Sequence, residues 1–193
     1  MKVIGISGSP RDNGNTAILV KEALNKAKEC GAEIEFINLS GLELNPCTAC
    51  NVCKDEGQCI INDDLNEIFD IMANADGIII GSPVYFGGVS SQVKMLIDRS
   101  RPLRKGFQLG NKIGGAISVG ASRNGGQETT IRQIHDFMLI HNMIIVGDNE
   151  PTAHYGGTGV GGAVGDCNND NHGLETSKNL GEKIVSVLKM MNK

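Results

Sequence analysis

Five short stretches rich in isoleucine and valine recur along the chain, each followed by an amphipathic helical pattern. That alternation restricts the fold more than any other feature. The stretches are Lys2 to Ser7, Glu33 to Leu39, Gly77 to Gly81, Lys112 to Val119 and Met143 to Val146. Runs such as Ile78-Ile79-Ile80 do not alternate with polar residues, which is the pattern of strands buried on both faces. Between them, Thr16 to Cys30, Asp63 to Ala73, Ser90 to Ser100, Gln127 to His141 and Leu174 to Met191 place apolar residues at helical spacing. Five βα units in succession specify an α/β chain with a doubly wound, five-stranded parallel sheet and helices on both faces. Right-handed crossovers favour the strand order 2-1-3-4-5, with ligands bound beyond the carboxyl ends of the strands. No repeat or linker divides the chain, so residues 1–193 are expected to form one domain. Residues 45–62 form a cysteine-rich loop inserted after strand two.

Composition excludes several classes of function. Lys plus Arg is 18 against 22 for Asp plus Glu, a net charge of -4, which argues against nucleic acid as the partner. No apolar run approaches the roughly 18–20 residues that span a bilayer, and Met1 to Ile6 lead directly into a strand. A cytoplasmic protein without a membrane partner is expected. In that compartment the six cysteines are free thiols, metal ligands or redox groups, not a disulfide framework. Glycine, at 26 of 193 residues, points to turns, phosphate loops and close backbone approaches.

The loop after strand one runs Gly8-Ser9-Pro10-Arg11-Asp12-Asn13-Gly14-Asn15-Thr16 into the first helix. Hydroxyls, amides and an arginine crowded at a helix N-terminus suit a phosphate, which meets unpaired N–H groups and the positive end of the dipole. The loop lacks the G-x-G-x-x-G of a dinucleotide fold and the G-K-[ST] of a Walker loop. It also lacks the cysteine of a phosphatase loop. The plainer alternative is a helix cap with a Gly/Ser turn.

Two further loops complete a pattern. Gly81-Ser82-Pro83-Val84-Tyr85-Phe86-Gly87-Gly88 follows strand three, and Lys94, Asp98 and Arg99 lie in the helix after it. Gly120-Ala121-Ser122-Arg123-Asn124-Gly125-Gly126 follows strand four. In this order and over nearly the whole chain, the three loops resemble the NADPH-dependent FMN reductase family, whose fold is flavodoxin-like. The resemblance implies that Ser7, Ser9, Arg11, Asn13, Asn15 and Thr16 hold the phosphate of FMN. It implies that Pro83, Val84, Tyr85, Phe86 and Gly87 lie along the isoalloxazine ring, with Gly120, Ser122, Gly125 and Gly126 in the third flavin loop. The residue types agree: Pro83 removes a donor, Gly87 and Gly88 allow close approach, and Tyr85 and Phe86 can cover a flat ring. An ordinary strand-to-helix turn with core aromatics is the alternative.

Cys47, Cys50, Cys53 and Cys59 fall within thirteen residues, at intervening spacings of two, two and five. This is close to the ferredoxin-type run C-x2-C-x2-C-x3-C-P, although Ile60 replaces the final proline and Pro46 precedes the first cysteine. Structural zinc usually takes two separate C-x2-C knuckles, and here they overlap at Cys50. Zinc and unmetallated thiols remain the rivals to an iron–sulfur cluster.

With the flavin loops, this spacing resembles the iron–sulfur flavoproteins of methane-forming archaea and other anaerobes. That resemblance implies FMN together with a 4Fe–4S cluster on the four cysteines, and a homo-oligomer, dimer or tetramer. It implies reduced ferredoxin as electron donor, with oxygen or peroxide as one proposed acceptor. Such an oxidoreductase needs protein to place cofactors and tune potentials, so no catalytic side chain is assigned. The alternatives are an NAD(P)H-dependent FMN or quinone reductase with structural zinc, and a flavin-binding redox sensor.

Other residues carry weaker signals. Cys30 reads as a packing thiol, Cys167 as a lone thiol without a base, and His135, His141, His154 and His172 as ordinary histidines. Arg99, Arg101, Arg104 and Lys105 form a basic run that either complements a helix C-terminus or docks an acidic partner. The glycine-rich stretch from Asp148 to Gly173 is expected to be a long loop without regular structure. Within it, Pro151 to Gly173 is expected to reach across a subunit interface and help cover a flavin or cluster, with a mobile surface lid as the alternative.

Overall fold

The computed structural model describes residues 1–191. Strands β1 (Lys2–Ser7), β2 (Glu33–Asn38), β3 (Gly77–Pro83), β4 (Ile113–Gly120) and β5 (Ile144–Ile145) pair in parallel in the order β2-β1-β3-β4-β5. This is the expected flavodoxin-like α/β topology. Ser7 stands opposite Asn38 and Gly81, and Ser82 opposite Ser118, so β3 and β4 run two to three residues past the end of β1 at the same edge of the sheet. The loops that follow them therefore emerge side by side.

Helices α1 (Asn15–Glu29) and α6 (Asn171–Met191) cover one face. Leu19, Val20, Leu24, Leu180 and Ile184 are buried there at 0–1% exposure, each contributing about 1.5–3 kcal/mol of hydrophobic burial. The two helices touch so closely that a Cβ on Gly181 would sit 2.0 Å from the Ala23 carbonyl oxygen. Helices α3 (Leu65–Ala73), α4 (Ser91–Arg99) and α5 (Gln127–Ile140) cover the other face through Leu65, Phe69, Val93, Leu96, Ile134 and Phe137. A short helix, α2 (Val52–Glu56), lies within the cysteine-rich loop, where the sequence shows only a loop.

One expectation is overturned. The stretch from Asp148 to Gly173 is not a structureless loop. After leaving β5 the chain makes an excursion and returns as a sixth strand, β6 (Gly157–Val160), which pairs in parallel with Ile117–Gly120 of β4. β5 meets only the start of β4, at Ile113 and Gly114. The fifth position of the sheet is thus filled by two short strands in series. A single 3-10 turn, Asp166–Asn169, then leads into α6. Only Gly157–Val160 of the stretch joins the sheet. Among the described residues no helix is long and apolar enough to cross a membrane.

Candidate functional site

At the carboxyl edge of the sheet, Ser9, Arg11, Asn15 and Thr16 from the first loop share one cleft with Pro83, Val84 and Tyr85 from the second. The cleft is open to solvent, and its cavity volume is about 160 Å³. Gly14 is the N-cap of α1 and has no side chain to satisfy the first-turn donors, so these are left for an anion. The loop curls so tightly that a Cβ on Gly14 would lie 2.5 Å from Ser9 Oγ. Ser9 Oγ in turn accepts from the Arg11 N–H at 3.1 Å.

The cleft has a further wall, drawn from the third loop and from the glycine-rich stretch after β5. Val119, Ala121, Gly161 and Gly162 line it as well. Arg11 Nη1 donates to the Gly162 carbonyl oxygen at 2.8 Å. Asn15 Nδ2 donates to the Ala163 carbonyl oxygen at 2.7 Å, and its Oδ1 accepts from Gly165 and Cys167 N–H groups at 3.1 and 3.2 Å. Asn15 thus holds the segment after β6 through both its amide oxygen and its amide nitrogen. Ser7 is completely buried, its Oγ lacks a hydrogen-bond partner among the described residues, and it does not line the cleft. Asn13 is exposed and also lies off the cleft.

Tyr85 and Gly88 exchange backbone hydrogen bonds of 2.9 and 3.1 Å. Phe86 and Gly87 between them have φ of 51° and 80°. This is a two-residue hairpin of the type I′ kind, which requires positive φ at both central positions. Phe86 holds a conformation that costs a non-glycine residue about 1–2 kcal/mol, yet its ring is wholly exposed, at 110% of the reference area. The third loop is fixed from below by the buried Gln127. Its Nε2 donates to the Ser122 and Gly159 carbonyl oxygens, and its Oε1 accepts from the Gly125 N–H at 2.8 Å. Gly120, Ser122, Gly125 and Gly126 stand beside the cleft, and only Ala121 of this loop lines it.

The second site lies lower on the molecule. Cys47, Cys50, Cys53 and Cys59 all line one concavity. Cys47 and Cys50 are exposed, and Cys53 and Cys59 are half-buried. Ala49, Asn51 and Gly57 have φ of 54°, 64° and 75°, and these left-handed positions bend the chain around the hollow, with α2 between them. Among the described residues no three or more His, Cys, Asp or Glu side chains make a ready single-ion site. The four thiols are spread around a hollow instead. Four soft donors in that arrangement fit an iron–sulfur cluster. Burial pushes the Cys53 thiol pKa up, while Arg101 pulls it the other way.

The neck of this loop is clasped by an ion pair. Arg99, at the end of α4, and Asp63, just before α3, pair with both side chains at 0% exposure. Arg99 also donates to the Asn45 and Ile61 carbonyl oxygens at 3.2 and 3.0 Å, and to Cys59 Sγ at 3.3 Å. Asp63 accepts from the Asn45 backbone N–H at 2.9 Å. Burial opposes the charge on Asp63, but Arg99 and Asn45 outweigh it and hold the carboxyl below its usual range. Arg99 is therefore not part of an exposed basic run, which is a correction to the expectation for that stretch. Arg101, Arg104 and Lys105 are exposed and share an adjoining hollow with Lys54 and Cys53.

Helix α4 joins the two sites. Ser90, its N-cap, donates from Oγ to the Gly8 carbonyl oxygen at 2.6 Å, beside the first loop, while Arg99 ends it at the cysteines. Its nine residues at about 1.5 Å each make it about 13 Å long.

Comparison with known proteins agrees with this geometry. The family model for NADPH-dependent FMN reductase matches residues 1–158. The chain belongs to that family. Within it, the chain is 69% identical over 193 residues to an iron–sulfur flavoprotein of Methanocaldococcus jannaschii, covering 100% of both. It is 47% identical over 194 residues to an iron–sulfur flavoprotein of Methanosarcina thermophila, covering 100% of this chain and 98% of that one. The crystal structure of a WrbA-like flavodoxin of Agrobacterium tumefaciens superposes with a TM-score of 0.67 at 20% identity, covering 98% of each chain. Membership makes the protein a flavin-dependent oxidoreductase.

The remaining thiols and imidazoles of this family member line neither hollow. Cys167 is fully buried beneath the Asn15 contacts, and burial, with Asp170 and Asp166, pushes its pKa up to about 12. It is a packing residue. Cys30 is half-buried at the end of α1. His141 is buried against Ser100, and His154 and His172 meet edge to face at 5.8 Å.

Proposed function

We propose that this chain is a cytoplasmic iron–sulfur flavoprotein that accepts electrons from reduced ferredoxin and delivers them to an acceptor such as oxygen or peroxide. FMN and an iron–sulfur cluster are its cofactors, the cluster a 4Fe–4S held by Cys47, Cys50, Cys53 and Cys59. When bound, the cluster supplies single-electron uptake and FMN supplies one- or two-electron chemistry. The observation that carries this reading is the convergence of four cysteines on one concavity at the far end of the helix that borders the flavin cleft.

The chain's own residues bind, orient and insulate. Ser9, Arg11, Thr16 and the uncapped N-terminus of α1 take the FMN phosphate. Asn15 fixes the wall formed by residues 161–167, and Ser7 and Asn13 frame the first loop. Pro83, Val84, Tyr85, Phe86 and Gly87 flank the ring, with Gly120, Ser122, Gly125 and Gly126 on its other side. The exposed Lys54, Arg101, Arg104 and Lys105 ring the approach to Cys53 and attract an acidic electron donor. Exposed Phe86 and Tyr155 belong to surfaces that a homo-oligomer, dimer or tetramer, would cover.

A second reading, an NAD(P)H-dependent FMN or quinone reductase with zinc on the cysteines, draws on the family description. Iron, sulfide, zinc and FMN per chain, measured on protein purified without oxygen, separate the two. Four irons with matching sulfide and one FMN, followed by reduction with ferredoxin but not NADPH, support the first. One zinc without iron, with rapid NADPH oxidation, supports the second.

A further inference from the structure

Among the described residues, Arg99 is the largest fully buried side chain and the only buried arginine. A buried guanidinium is expensive unless every charge and donor is matched. Here one Asp63 carboxylate matches the charge, and two carbonyl oxygens from either side of the cysteine loop take further donors. The remaining contact is different in kind: Arg99 Nη2 points at Cys59 Sγ, 3.3 Å away. Arg99 Nε is buried without a partner among the described residues, on a side chain that lines the cysteine concavity. An arginine needed only to close the loop neck would be complete with Asp63, Asn45 and Ile61.

We propose that Arg99 is a positioning residue for the iron–sulfur site, donating a charge-assisted hydrogen bond to the Cys59 sulfur that favours the reduced state of the cluster. The inference rests on the reading that Cys47, Cys50, Cys53 and Cys59 hold such a cluster. Its physical basis is direct. Reduction adds negative charge to the cluster and its sulfurs, and a donor or cation against a ligand sulfur stabilises that charge. Asp63 attenuates the effect, since its carboxylate neutralises most of the guanidinium. The pair therefore acts as an electrostatic setting whose two halves work in opposite directions. Cys59 is singled out because, among the described residues, it is the cysteine to which Arg99 donates a hydrogen bond.

The test is a redox titration of the cluster, followed by its spectrum, in anaerobically purified holoprotein. Arg99→Gln removes the charge and the forked donor. It is expected to shift the oxidised-to-reduced ratio at a fixed potential about tenfold toward oxidised, which is 59 mV for one electron, with FMN affinity unchanged. Arg99→Lys keeps the charge but cannot span Cys59 and Asp63 together, so it recovers only part of the shift. Asp63→Asn leaves the guanidinium unneutralised and is expected to shift the ratio toward reduced. If Arg99→Gln sheds the cluster, Asp63→Asn and Arg99→Lys still decide the matter, because a purely structural clasp gives no pair of opposite shifts. Variants that retain the cluster at the wild-type potential overturn the inference alone. Wild-type protein without iron and sulfide overturns the cluster reading and the inference with it.

Discussion

The Asn15 side-chain oxygen accepts a hydrogen bond from the Cys167 N–H at 3.2 Å, joining residues 152 positions apart. The same amide also holds Gly165 and Ala163. The first turn of α1 and the segment after β6 are therefore one unit, although neither looks like the other's partner in sequence. The N-terminal end of α1 depends on that segment for its shape.

Asn15→Ala is accordingly expected to weaken both stability and FMN retention. It strands the Gly165 and Cys167 N–H groups beside a small void. An unsatisfied buried polar group costs about 1–3 kcal/mol. FMN dissociation should strengthen about tenfold as the Gly161–Gly162 wall drifts. Thermal unfolding and fluorescence titration of the apoprotein with FMN read the two effects. A normal FMN affinity in a destabilised variant would separate the wall from the site.

Phe86 presents a trade between stability and function. Its φ of 51° and its full exposure mean that the hairpin gains nothing from its side chain within one chain. Phe86→Asn places before Gly87 the residue that type I′ turns prefer. The expected gain is about 1 kcal/mol, which for a chain of this size raises Tm by about 2–4 °C. If the ring serves to cover FMN, flavin turnover falls as stability rises. A variant with unchanged Tm would show that the turn is not strained.

The topology was legible because parallel strands buried on both faces carry an unmistakable apolar run, as in Ile78-Ile79-Ile80. The four cysteines were legible because their spacing alone brings them to one hollow. What could not be read had specific causes. β6 is Gly157-Thr158-Gly159-Val160, four residues with two glycines, which has almost no strand signal until β4 supplies the partner. α2 is five residues long and bounded by left-handed residues, too short for a period to show. The clasp joins Arg99 to Asp63 across 36 positions, so Arg99 looked like a member of the basic run that follows it. Ser7 looked like a phosphate ligand by its place in the loop, but it is the last residue of β1 and is enclosed by the sheet.

The basic hollow beside Cys53 gives an electrostatic prediction. Arg101 and Arg104 are exposed and are not engaged in the clasp. Reversing both, Arg101→Glu with Arg104→Glu, is expected to slow reduction by ferredoxin at least tenfold at low salt. The wild-type rate should fall as ionic strength rises, because screening acts over about 10 Å at 0.1 M. Stopped-flow reduction with ferredoxin, and with a small neutral reductant as reference, measures it. Equal rates for variant and wild type, or a rate indifferent to salt, would exclude this surface as the docking face.

His141 makes the fold sensitive to acid. It is 2% exposed, with Nε2 2.8 Å from Ser100 Oγ and Nδ1 without a partner among the described residues. Burial, aided by the charge of Arg104, pushes its pKa down to about 4. In the unfolded chain the same imidazole titrates near 6.5. Between those values the unfolded chain holds a proton that the native chain does not. Unfolding is therefore favoured as pH falls through that window, and stability is level above it. At 1.36 kcal/mol per unit, the whole loss by pH 4 is about 3 kcal/mol. Burial lowers the His135 pKa too, and that residue acts in the same direction, so the contribution of His141 is read as a difference. His141→Gln keeps a polar group for Ser100 and does not titrate. Urea unfolding at pH 7.5 and pH 5 should show a smaller acid loss in the variant. Identical losses would mean that His141 takes up its proton in the native state, with the Ser100 contact reorganised to allow it.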